Sequence, residues 1–139
     1  MPRSVHLLLA LVLVAACDRP GDTAARDRAL AGRALKGALA YPKSSLVSLS
    51  AGDEAAQLVF TSMASVADVA QWYRIALQAN GWEIQSDKAG QGGELTIYAT
   101  QGERPIWITL RPNTGAPGTT YTLMGAVIDD STKAAPPAR

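Results

Sequence analysis

The chain has 139 residues, with 13 Lys and Arg against 12 Asp and Glu, one His and one Cys. That length suits one domain with a single modest core. The near-zero net charge gives no electrostatic basis for nucleic-acid binding, and a single Cys leaves no partner for an intrachain disulfide.

An apolar run from Leu7 follows the basic Arg3 and closes in Val14-Ala15-Ala16-Cys17. It is shorter than the roughly 20 apolar residues that span a bilayer. A basic start, a short apolar stretch and two small residues before a cysteine read as a secretory signal, residues 1–16, cleaved before Cys17. Cleavage removes Arg3 and His6 together, which leaves the mature chain formally neutral and without histidine.

These residues resemble the signal peptide and lipobox of bacterial lipoproteins. The resemblance implies a thioether-linked diacylglycerol on Cys17 and often a third acyl chain, of the palmitate kind. The protein would then sit in the cell envelope, lipid-anchored and facing the periplasm. Asp18 after the cysteine favours inner over outer membrane. At about 0.8 kcal/mol per buried CH₂, two or three chains hold a protein firmly on a membrane.

Residues 17–23, with Pro20 and Gly21, read as the lipidated cysteine and a short tether, and 24–128 as a single domain. From Thr23 to Ala40, Leu30, Ala31, Ala34, Leu35, Ala38 and Leu39 recur at helical spacing and predict an amphipathic helix ended by Pro42. Gly32 and Gly37 weaken it, so it must be held by docking. Leu46 to Ser50 and Ala55 to Ser62 alternate apolar and polar residues around Ala51-Gly-Asp-Glu54, predicting a hairpin with Val47 and Leu49 facing inward opposite Leu58 and Phe60. Ser65 and Asp68 form the capping start of the main helix, and Val66, Val69, Ala70, Tyr73, Ala76 and Leu77 form its stripe. Asn80-Gly81 is its left-handed stop.

Four strands follow, at Trp82 to Gln85, Glu94 to Thr100, Ile106 to Arg111 and Thr119 to Ile128. One register of the central hairpin sets Leu95 against Leu110, Ile97 against Ile108 and Ala99 against Ile106. Its other face then carries the pairs Glu94 and Arg111, Thr96 and Thr109, and Tyr98 and Trp107, each favourable across strands. A one-residue slip destroys all of them. The matching register of the last hairpin sets Leu110 against Tyr121, Ile108 against Leu123 and Trp107 against Met124. Residues 129–139, with Pro136-Pro137 and no periodicity, read as a disordered tail. The expected fold is α+β, an antiparallel sheet of about six strands packed on one main helix, with an additional N-terminal amphipathic helix, in the order αββαββββ.

Tyr41-Pro42-Lys43-Ser44, Val69-Ala-Gln-Trp-Tyr-Arg74, Leu77 and Gly81-Trp82 resemble a pattern recurrent in small envelope lipoproteins. The strand-helix-strand arrangement resembles the helix-grip type of domain. That resemblance covers residues 41–82 and carries structure rather than activity.

The mature chain offers neither histidine nor a spare thiol, the commonest general base and soft metal ligand. Asp53, Glu54, Glu83, Glu94 and Glu103 fall at turns and strand ends as solvated charges. The Gly90 to Gly93 and Gly115 to Gly118 segments connect strands and do not open a helix, so they lack the setting of a phosphate loop. The expectation is therefore no catalytic residue, no metal and no cofactor. Tyr98, Trp107, Arg111 and Met124 are the candidate partner-binding residues, flanked by Thr96, Thr109 and Thr122. The competing expectation, given more weight, is that the first helix lies across this face with Leu30, Leu35 and Leu39 over Trp107. The expected function is a non-catalytic, membrane-anchored lipoprotein that binds an envelope protein or cell-wall partner on the periplasmic side. The alternative is a small molecule or cell-wall fragment held between helix and sheet.

Overall fold

The computed structural model describes residues 20–126. Cys17 and its lipobox, Val127-Ile128 and the stretch 129–139 lie outside the described residues. The elements are α1 (Pro20–Ala34), β1 (Ser44–Ala51), β2 (Ala55–Ser62), α2 (Val66–Ala79), β3 (Glu83–Ala89), a 3₁₀ turn at Gln91–Gly93, β4 (Leu95–Gln101), β5 (Arg104–Pro112) and β6 (Thr119–Ala126). All six strands form one antiparallel sheet in the order β1-β2-β6-β5-β4-β3. The α+β architecture and the element order expected from sequence are those found.

Both central registers hold. Leu95, Ile97 and Ala99 pair with Leu110, Ile108 and Ile106, while Tyr98 pairs with Trp107. Across the next ladder Leu110, Ile108 and Trp107 meet Tyr121, Leu123 and Met124. The first hairpin departs from expectation. A β-bulge between Leu46 and Ser48 pairs Leu46 with Phe60 and Leu49 with Leu58, and leaves Val47 outside the ladder, 60 % exposed. Leu46 and Leu49 are three residues apart, so alternation would send them to opposite faces. The extra residue of the bulge puts both opposite the inner residues of β2.

α2 begins and ends as its sequence dictates. The Ser65 hydroxyl accepts from the Asp68 amide at 3.2 Å and donates to the Asp68 carboxylate at 2.7 Å. At the other end Gly81 takes φ +77° and the Trp82 amide returns to the Leu77 carbonyl at 2.9 Å, a Schellman closure. Ser65→Ala is expected to cost about 1 kcal/mol and to lower the thermal midpoint by roughly 4–8 °C, readable by circular dichroism.

α1 differs from expectation at both ends and in where it packs. It starts at Pro20, inside the stretch expected to be a tether, because proline suits a first helical position whose N–H has no partner. It stops at Ala34 rather than Ala40, before Gly37 at φ +81°, so Leu39 lies outside it, 48 % exposed. Leu30, Ala31, Ala34 and Leu35 are buried on the aliphatic face that α2 also covers. Gly125 admits the approach, since a Cβ there would lie 2.6 Å from the Ala34 carbonyl oxygen. Arg104 donates to the carbonyls of Lys36 at 2.8 Å and Arg33 at 3.3 Å, holding the helix's negative end. The expectation that α1 lies over Trp107 is thereby corrected. The aliphatic inner face is broad enough for both helices, and the outer face offers α1 only half-polar rows.

Candidate binding surface

The sequence points to two regions for a ligand or partner, the layer between α2 and the sheet and the outer face of the sheet. In the first, Val69 and Ala70 of α2 meet Ile97, Ala99, Ile106, Ile108, Leu110 and Tyr121, all at 0 % exposure. Side chains without accessible surface border no space that a water molecule could enter. Trp82 belongs here too, buried at the α2–β3 junction with the Arg104 guanidinium 5.5 Å from its ring centroid. Its Nε1 meets no hydrogen-bond acceptor among the described residues.

One end of this layer is closed by tyrosines. The Tyr121 hydroxyl accepts from the Tyr41 amide at 3.0 Å and lies 2.6 Å from the Ser44 Oγ, which itself donates to the Tyr41 carbonyl. Tyr73 donates to the Leu39 carbonyl at 3.0 Å. The Tyr121 ring stacks on Phe60 with centroids 5.2 Å apart and meets Tyr73 edge-on at 5.7 Å. Burial, with Tyr121 beside it, pushes the Tyr73 hydroxyl far above the ordinary tyrosine range, so it stays a neutral donor. Trp72, half-buried, stands edge-on to both Tyr41 and Tyr73. The Tyr41 to Ser44 pattern singled out in the sequence is thus the clasp that seats the α1–β1 connection on the core.

The outer face is open. Tyr98, Trp107 and Met124 come from adjacent positions on β4, β5 and β6, the first two rings stacked at 5.1 Å and 22°. Trp107 and Met124 are each 39 % exposed, and none of the other described elements packs over them. Beside that row runs a second, in which Thr96, Thr109 and Thr122 pair across the same strands. Arg111 shares the face but stands four residues beyond Trp107, about 13 Å along β5, and its guanidinium is engaged by Glu94. The four candidates therefore form a tight trio and one outlier.

The sequence reading missed two members of this surface. Gln57 lies opposite Met124 and Thr120 opposite Arg111, and with Thr109, Thr122, Arg111 and Met124 they line an open depression of about 300 Å³. Finding Gln57 required knowing that β2 pairs with β6, a contact made across α2 and three intervening strands. The only local signal was the alternation of Gln57, Val59 and Thr61 away from the core. The ring faces of Tyr98 and Trp107 are turned to each other, so this surface presents ring edges, a thioether and hydroxyls. A flat sugar platform would present the ring faces instead.

Acidic side chains are dispersed. Asp53 meets Arg26 at 2.8 Å at the β1–β2 turn, and Asp87 of β3 binds Arg74 of α2, which raises the affinity of that guanidinium for its proton. Among the described residues, no three or more of His, Cys, Asp and Glu are grouped to hold a metal ion, and no helix is long and apolar enough to cross a membrane.

A six-stranded antiparallel sheet gripped on one face by helices defines a two-layer, helix-grip-like domain. Residues 43–120 match the family model described as START domain-like. That span is more than half of the chain, and the protein belongs to the START domain-like family. No curated protein and no solved structure matches it.

Proposed function

We propose that this protein is a non-catalytic binding domain, tethered to the bacterial envelope through lipidated Cys17, that engages a protein partner through the outer face of its sheet. The observation that carries the reading is the exposed row of Tyr98, Trp107 and Met124. Aromatic and Met side chains are enriched where proteins meet. The lipobox residues support the anchor, and the family membership fits a binding module. The interaction needs neither cofactor nor metal. Asp18 favours retention at the inner membrane.

Trp107→Ala tests the partner surface. The side chain is partly exposed, so the fold should persist, while loss of a central Trp typically removes 2 kcal/mol or more of binding, about thirtyfold in affinity. Co-purification of partners from envelope extracts should fall accordingly, and an unchanged profile would contradict the reading. A second reading, a small molecule between α2 and the sheet, is favoured by the family membership alone. It requires α2 or the Tyr41 to Ser44 clasp to move, because that layer is filled.

A further inference from the structure

We propose that the protein self-associates through β1, whose free edge pairs antiparallel with β1 of a second copy and joins two sheets into one. The two edges of this sheet differ sharply. β3 carries Glu83, Asp87 and Lys88 in seven residues, the charged protection usual for strands that must not pair. β1 has the sequence Ser-Ser-Leu-Val-Ser-Leu-Ser-Ala, with neither charge nor proline, and exposes Leu46 by 54 % and Val47 by 60 %. Apart from the bulge at Val47, its outward N–H and C=O groups carry no such protection.

The occupant that fits best is the same strand. A two-fold axis pairs β1 only with residues of β1, so an uncharged strand meets no like charge. The charges that flank β1 are complementary under this operation. A pairing centred on Ser48 sets Lys43 of one copy against Asp53 of the other, where Asp53, 86 % exposed, also meets Arg26 of its own chain. The axis runs normal to the sheet, so both outer faces lie on one side. β5 is the fourth strand in from the β1 edge. At about 4.8 Å per strand the two Trp107 side chains stand roughly 34 Å apart. If the outer face binds a partner as proposed above, the dimer offers it twice, with the gain in avidity that linked sites provide. The pairing itself does not depend on that reading.

The test is sedimentation equilibrium of the full-length chain in density-matched detergent. The wild type should sediment as a dimer. Val47→Lys and, independently, Leu46→Lys should weaken dimerisation at least tenfold with unchanged thermal unfolding, since both side chains already face solvent. Ile75→Lys on α2, 60 % exposed, and Trp107→Ala should leave the dimer intact. A wild type that stays monomeric, a dimer indifferent to both β1 lysines, or one dissolved by Trp107→Ala would overturn the proposal. Loss of partner binding in Trp107→Ala with the dimer retained separates this pairing from the partner reading.

Discussion

Tyr121→Ala should leave the domain unfolded at physiological temperature. Emptying a large aromatic site in a core costs about 3–5 kcal/mol, and here the cavity would open where Phe60, Tyr73 and Tyr121 meet. The Tyr41 amide would also lose its acceptor, at about 1–3 kcal/mol for a buried donor left unpaired. Together these approach the whole stability of a small domain, about 5–15 kcal/mol. Tyr121→Phe isolates the second part, because the ring stays and only the hydroxyl goes. It should fold, with a midpoint lower by roughly 4–8 °C for each kcal/mol lost. Urea melts of the two variants would check the split. A Tyr121→Phe protein as stable as wild type would mean that the clasp on the α1–β1 connection contributes nothing.

Gly125→Val should detach α1 while the sheet and α2 remain folded. A Cβ at this position would sit 2.6 Å from the Ala34 carbonyl oxygen and 2.8 Å from Leu35 Cδ2. The leucine can turn aside, but the carbonyl belongs to the helix backbone and moves only with the helix. Overpacking of this kind costs about 1–3 kcal/mol, and a glycine-containing helix of this length is marginal once undocked. Hydrogen exchange should show the α1 amides after Pro20 losing protection while β4, β5 and β6 keep theirs. Global loss of protection would make α1 integral to the core, and unchanged protection would mean that the sheet yields instead.

The contrast between these two sites shows what the sequence made legible. Alternation along Glu94 to Arg111 and Thr119 to Ile128 specified both central registers, because each shift of one residue would expose a row of Ile and Leu. Tyr98, Trp107 and Met124 were brought together by the same constraint. The bulge at Val47 was not legible, since Leu46-Val47-Ser48-Leu49 satisfies either parity until Phe60 and Leu58 fix the partners. The docking of α1 was hidden for a different reason. Its stripe of Ala and Leu fits any apolar surface, and the choice was made by Gly125 and Arg104, 91 and 70 positions beyond Ala34 in the chain. The hydrogen bond from Tyr41 to Tyr121, 80 residues apart, has no local signature at all. Local pattern set the sheet, and long-range backbone contacts decided which of its faces stayed open.

Whether the open face carries the function is tested most directly by placing a photoreactive side chain at Thr122, between Thr109 and Val59 on that face, in the full-length chain in intact cells. Illumination should join it to another envelope protein, and the adduct should disappear when Trp107 is replaced with Ala. The same group at Ile75, on the solvent side of α2, should give no such adduct. Cross-linking from Ile75 and none from Thr122 would place the binding surface on the helical side and contradict the assignment.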